Sequence, residues 1–68
     1  MEIILNNQPE TIGDMKEITI TQLLAMKGIS ANGTAVAVND HLICHDSWES
    51  HTLKDGDRIV LISAAFGG

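Results

Sequence analysis

Cysteine is almost missing from this 68-residue sequence: Cys44 stands alone, so no internal disulfide can form. A lone thiol in a short chain argues against the stapled scaffold of small secreted domains and for a reducing cytosol. Basic residues are also scarce, with four Lys and Arg against nine Asp and Glu, a net charge of −5. Nucleic-acid and anionic-membrane binding draw on Lys/Arg clusters, so this balance disfavours both as partners. No apolar run approaches the ~20 residues of a membrane span. Met1-Glu2-Ile3 lacks the basic start of a signal peptide. Proline occurs once and glycine six times, and there is no internal repeat, low-complexity segment or linker. The 44% of hydrophobic residues excludes a disordered chain. The reading is one small, acidic, cytoplasmic domain over residues 1–68, its core worth a net ~3–5 kcal/mol.

Apolar spacing then divides the chain. Residues Glu2 to Asn6 read as a strand, and Asn6-Asn7 as a turn into a return arm from Gln8 to Ile12. Pro9 has no ladder donor, which makes that arm an edge strand. Thr19-Ile20-Thr21-Gln22 fits a capping box, with Ile18 and Leu23 placed as a hydrophobic staple. Ile20, Leu23, Leu24 and Lys27 follow helical spacing, and Gly28 is suited to a left-handed stop. Thr34 to Val38 reads as a strand, Asn39-Asp40 as a hairpin turn, and His41 to Cys44 as a short strand. Asp46 to Ser50 is a connecting turn or single helical turn, with Trp48 as a partial core cover. Lys54-Asp55-Gly56-Asp57 is another turn, and Arg58 to Ile62 the most hydrophobic strand, hence the central one. The expected order is strand, strand, helix, strand, strand, strand. One helix covers only one face of such a sheet, yet two strands are apolar on both. Either loops around Trp48 cover the second face, or part of it is left for a partner.

The interior offers little chemistry. In a strand, His41 and His45 share a face while Cys44 points away, so they make no compact tetrahedral set. The reading there is surface histidines and a small buried thiol, with no metal site. Cys44 and His45 make no nucleophile pair either, because neighbours in a strand face opposite ways. Asp55 and Asp57 flank a glycine in a turn, a solvated place that does not separate two carboxylate pKa values. No catalytic residue is assigned.

The end of the sequence differs. Ser63-Ala64-Ala65-Phe66-Gly67-Gly68 follows directly on the central strand. Gly67 and Gly68 lack side chains, so their backbone can enter a passage that any Cβ would obstruct. A terminal carboxylate is ionised at neutral pH and is a poor acyl electrophile until activated. Such a tail is suited to being a substrate inside another enzyme's site.

With these features assembled, the chain resembles the β-grasp sulfur carriers of the ubiquitin-like group, most closely the ThiS family of thiamin biosynthesis. The resemblance runs over all 68 residues. It is carried by the first hairpin, Thr19 to Leu24 opening the helix, and Ala35-Val36-Ala37-Val38-Asn39. Leu53-Lys54-Asp55-Gly56-Asp57-Arg58-Ile59 and Gly67-Gly68 complete it. It implies an α+β fold of the β-grasp type, a mixed sheet of about five strands with one main helix packed on one face. A flexible tail over residues 64–68 would follow.

The resemblance also implies a role. Gly68 would be adenylated by a ThiF-like enzyme using ATP and magnesium, then converted to a thiocarboxylate. The sulfur would come from a donor such as a cysteine desulfurase and pass to a thiazole synthase. Phe66, Gly67 and Gly68 would thread the partners' sites, and the carrier would bind no cofactor of its own and be no enzyme. The small subunit of molybdopterin synthase shares fold and tail but usually has prolines before its Gly-Gly, which are missing here. Two alternatives stay open: a carrier for molybdopterin or another thiometabolite, and a ubiquitin-like interaction module whose Gly-Gly is never activated.

Overall fold

The computed structural model describes residues 1–14 and 16–63. Strand β1 (Glu2–Leu5) turns at Asn6 and Asn7 into β2 (Gln8–Thr11). Both asparagines have positive φ, 49° and 68°, the conformation of the tight hairpin turn whose twist matches its strands. Asn39 and Asp40 repeat this at 50° and 72° between β4 (Thr34–Val38) and β5 (His41–Ile43). Asparagine and aspartate tolerate that region better than other side-chain-bearing residues, so two short polar pairs fix two hairpins.

β7 (Arg58–Ser63) closes the sheet, giving the order β2-β1-β7-β4-β5. β7 pairs parallel with β1 and antiparallel with β4, so the sheet is mixed. The most apolar strand is the central one, and the Pro9 strand is at an edge, as their compositions require.

Helix α1 spans Ile20–Lys27. The Thr19 hydroxyl accepts from the Gln22 N–H at 3.1 Å, while the Gln22 side chain accepts from the Thr19 N–H at 2.8 Å. At the other end Gly28 sits at φ 69°, its N–H on the Ala25 carbonyl, with the Ile29 N–H on the Leu24 carbonyl. This paired closure is the Schellman motif, and half-buried Ile29 packs on the core as the motif's apolar contact. Ile20, Leu23 and Leu24 are the buried side. Lys27 reaches an ion pair with Glu10 of β2, which ties the helix end to the sheet edge.

Two elements go beyond the sequence reading. Glu17–Thr19 forms β3 and Thr52–Lys54 forms β6, and they pair antiparallel as a separate small sheet. Ile18 therefore does more than staple the helix. It stands opposite Leu53 in that sheet, and both are buried. Before β6 lies a 3₁₀ turn over His45–Ser47, one residue earlier than the connecting turn or single helical turn read for Asp46 to Ser50.

One cluster forms the core, joining Ile3, Val36, Val38 and Ile59 of the large sheet to Ile20, Leu23 and Leu24 of α1. Ile18, Leu53 and Trp48 belong to the same cluster. Each such side chain contributes ~1.5–3 kcal/mol by leaving water. Trp48 is 4% exposed, and its indole N–H donates to the Ile43 carbonyl at 2.9 Å. It packs in the cluster on the helix side of the sheet, so of the two readings left open for the far face, cover by the Trp48 segment does not hold, and Leu42, Val60 and Ile62 there are exposed. Cys44 is exposed, not buried. It lies between the end of β5 and the 3₁₀ turn, where no core packs over it.

Among the described residues, no helix is long and apolar enough to cross a membrane.

Candidate functional site

Register assigns every strand residue to a face. Leu5 stands beside Ile59 in the parallel pair, and Val36 and Val38 stand opposite Leu61 and Ile59, all toward α1. The alternate set, Val60 and Ile62 of β7, stands opposite Ala37 and Ala35 of β4. Ala37 in turn faces Leu42 of β5. Across three strands this makes an apolar outer surface in which Leu42 is 73% exposed, Ile62 58% and Val60 39%. The two alanines keep the surface low between the larger side chains. At one border Arg58 donates to the Asp40 carboxylate at 2.8 Å, an exposed pair that adds little stability.

The outer surface leads to the carboxyl-terminal side of the chain. Ile62 is one residue from Ser63, the last residue of β7, which is held opposite Thr34 by the β4–β7 ladder. Gly67 and Gly68 follow within five residues. The residues singled out from the sequence as the reactive end, Phe66, Gly67 and Gly68, lie outside the described residues.

The other sequence candidates are separated by the fold. His41 lies in β5 and its Nδ1 bonds the Asn39 carbonyl at 3.0 Å. His45 lies beyond the strand, so the strand alternation used to relate the two histidines does not extend to it. Its ring stacks on Trp48 with centroids 4.0 Å apart, and Nε2 bonds the Ala31 carbonyl. Among the described residues, no three His, Cys, Asp or Glu side chains gather as metal ligands. Asp55 accepts the Glu2 N–H at 2.7 Å, and Asp57 accepts the Lys54 N–H at 2.8 Å and the Asn39 side-chain amide at 3.1 Å. Both carboxylates thus organise the turn and its neighbours.

Sequence reasoning found the strands at Val36–Val38 and Ile59–Ile62 apolar on both faces and left open whether loops cover the second. Leu42 was the least visible, because a three-residue strand shows no alternation to read. Only its pairing with Ala37 puts it on the outer surface.

A five-stranded mixed sheet with one capped helix on one face, and its last strand central, defines a β-grasp domain of the ubiquitin-like kind. The ThiS family profile matches residues 3–68, and the chain belongs to that family. It is 29% identical over 68 residues to the sulfur carrier protein ThiS of Escherichia coli (strain K12), covering 100% of both chains. The crystal structure of thiamine biosynthesis protein ThiS from Geobacter metallireducens matches with a TM-score of 0.86 at 28% identity, covering 100% of each chain. A solution structure of a thiamine biosynthesis protein from the same organism matches at 0.85. At 23% identity, over 100% of this chain and 88% of that one, it supports the fold alone.

Proposed function

We propose that this chain is a sulfur carrier that works through a thiocarboxylate at Gly68, serving thiamin thiazole synthesis. The carrier role rests on membership of the ThiS family and on the likeness to the E. coli sulfur carrier. A carrier is a co-substrate and not a catalyst. The observation that carries the chemical reading is that Gly67-Gly68 follow in sequence within five residues of Ser63, the end of the central strand, whose Val60 and Ile62 are exposed.

The chemistry is supplied by partners. On a ThiF-like enzyme, a Gly68 carboxylate oxygen attacks the α-phosphorus of ATP and pyrophosphate leaves. Magnesium and ATP belong to that enzyme. Sulfide then forms a C–S bond as the C–O bond to AMP breaks. Where the donor is the persulfide of a cysteine desulfurase, its outer sulfur forms that bond to give an acyl disulfide. A second thiol then cleaves the S–S bond, becoming a disulfide with the donor sulfur as the thiocarboxylate is released. The thiocarboxylate is a softer nucleophile than the carboxylate, as a thiolate is compared with an alkoxide. A thiazole synthase takes up its sulfur. Phe66, Gly67 and Gly68 enter the partner sites, and the surface around Leu42, Val60 and Ile62 seats the domain. These events take place in the cytoplasm.

The test is intact mass after incubation with a ThiF-like enzyme, ATP, magnesium and a sulfide donor. The expected result is a gain equal to one oxygen replaced by one sulfur, lost when Gly68 is deleted. No gain with a competent activating enzyme would turn the reading into a non-covalent interaction module. Restoration of thiamin-independent growth in cells lacking their own carrier then separates thiamin from molybdopterin or another product.

A further inference from the structure

Asparagine stands at positions 6, 7, 32 and 39, and only Asn32 precedes a glycine. Asn32 and Gly33 form an exposed turn between Gly28, which caps α1, and Thr34, which opens β4. Asparagine is a chemically labile residue, because its side-chain amide can be attacked by the backbone nitrogen that follows it. A following glycine leaves that approach open, having no Cβ and a freely turning backbone. The attack then depends on whether either group is held elsewhere.

At this turn both are unheld. Among the described residues, neither the Asn32 side-chain amide nor the Gly33 N–H makes a hydrogen bond, and only the Asn32 N–H is engaged, with the Ser30 hydroxyl at 3.2 Å. The comparable places are locked. The Asn6 side-chain oxygen accepts the Leu61 N–H. Asn39 uses both ends of its side-chain amide, accepting from the Arg58 N–H at 3.0 Å and donating to Asp57 at 3.1 Å. Asn7 precedes Gln8, whose backbone is paired with Leu5 in the first hairpin. Asp55-Gly56 has the same local chemistry, yet the Asp55 carboxylate accepts the Glu2 N–H and the Gly56 N–H donates to the Glu2 carbonyl, each at 2.7 Å. Electrophile and nucleophile there are both pinned to β1.

We propose that Asn32 is a site of self-modification, in which the Gly33 backbone converts it to aspartate and isoaspartate. The Gly33 nitrogen loses its proton to base in the solvent and bonds to the Asn32 side-chain carbonyl carbon. The bond from that carbon to the amide nitrogen breaks, ammonia leaves and a succinimide ring remains. Water opens the ring at either carbonyl, placing its hydroxyl on the carbon and its proton on the nitrogen. One opening gives aspartate. The other gives isoaspartate, in which the main chain runs through the side-chain methylene.

The isoaspartate form is felt in β4. The Ala31 carbonyl accepts the Thr34 N–H at 3.3 Å, and His45 Nε2 bonds the same oxygen. The Ser30 carbonyl accepts the hydroxyl of buried Thr34 at 2.7 Å. Both Thr34 bonds close a loop that contains Asn32 and Gly33, so an added backbone atom lengthens that loop and loosens them. Thr34 stands opposite Ser63, the last residue of β7, so the final β4–β7 pair weakens with it. The inference does not rest on the carrier reading.

The full chain and a capped peptide of residues 30–34 are held side by side at neutral and mildly alkaline pH. Intact mass and anion exchange should show an NH2 replaced by an OH and an added negative charge, with fragment mapping placing the change at Asn32. The change should be faster at the higher pH, because the attacking nitrogen must lose its proton. Labelling by an isoaspartate methyltransferase should mark position 32 and leave position 55 unmarked. N32Q, whose side chain would need a larger ring, should abolish the change. The Thr34 and Ser63 amides should exchange faster in the purified isoaspartate form than in N32D, which carries the charge without the added backbone atom. A folded chain that stays unchanged while the peptide converts would overturn the proposal, since the turn would then be protected. Conversion that begins at another asparagine, or labelling as strong at Asp55, would overturn it as well. Equal exchange in the isoaspartate form and N32D would overturn the coupling to β4.

Discussion

The side-chain oxygen of Asn6 accepts the backbone N–H of Leu61 at 2.9 Å, joining the first hairpin turn to the central strand. The Asn6 N–H already donates to the Ile59 carbonyl, so Asn6 extends the parallel β1–β7 pairing by a rung made with a side chain. Its φ of 49° adds a second demand, for a residue that tolerates the left-handed region. Asn6→Ala fails both requirements and should lower unfolding free energy by about 1–2 kcal/mol. Asn6→Gly meets only the backbone demand, while Asn6→Asp keeps an acceptor, so both should fall between. Urea unfolding at unchanged slope tests the order. An alanine variant as stable as the parent would show that the bond contributes nothing.

Trp48 joins burial to a hydrogen bond, which lets two substitutions separate its roles. Trp48→Phe keeps most of the apolar volume but leaves the Ile43 carbonyl without its indole donor. It should destabilise by about 1–3 kcal/mol. Trp48→Ala also opens a cavity in the core cluster, at a cost of about 3–5 kcal/mol. That matches the whole net stability of ~3–5 kcal/mol for a domain of this size, so the alanine variant should be largely unfolded at room temperature. Collapsed amide dispersion in its NMR spectrum is the expected sign, and a dispersed spectrum is the contrary one.

The elements legible in the sequence were those whose chemistry is local. Thr19 and Gln22 satisfy each other's backbone donors three residues apart, and Asn6-Asn7 and Asn39-Asp40 turn the chain by their own conformational tolerance. β7 stood out by composition. β3 and β6 did not, because a strand of three residues carries no periodicity and Ile18 finds Leu53 only once the chain has folded. The same limit hid Leu42. The exposure of Cys44 depends on where β5 ends, a boundary that composition did not mark. Of the candidate site, the apolar character of both faces of β4 and β7 was readable, whereas which face stays uncovered, and its extent across β5, β4 and β7, depended on register and on where Trp48 packs.

The capping box makes a quantitative claim in its turn. Thr19→Ala removes the acceptor for the Gln22 N–H and should cost about 1 kcal/mol, with Thr19→Ser close to the parent. Thermal unfolding of the three proteins checks this. A serine variant as unstable as the alanine one would assign the loss to the Thr19 methyl in β3 instead of the cap.

The outer surface should separate function from stability. Leu42→Ala and Ile62→Ala trim side chains that are mostly in water, so together they should change stability by less than about 0.5 kcal/mol. If this surface seats the activating enzyme, the pair should slow thiocarboxylate formation at limiting carrier at least about tenfold, each lost anchor being worth ~1 kcal/mol or more. Undiminished rates with a normally folded double variant would place the docking surface elsewhere.

Charge should govern a different step of the same encounter. The net charge of −5 is distributed over exposed side chains such as Glu2, Glu17, Asp46 and Glu49. A field of this kind steers a basic partner from a distance, and salt screens it beyond ~10 Å at 0.1 M. The association rate with the activating enzyme should therefore fall several-fold between about 0.05 M and 0.5 M salt, with little change in dissociation. Trimming Leu42 and Ile62 should do the reverse, raising the dissociation rate and leaving the salt slope intact. Stopped-flow association measured across salt concentrations, for the parent and the double alanine variant, tests both halves together. A flat salt dependence would remove steering from the account and leave the apolar surface as the source of recognition.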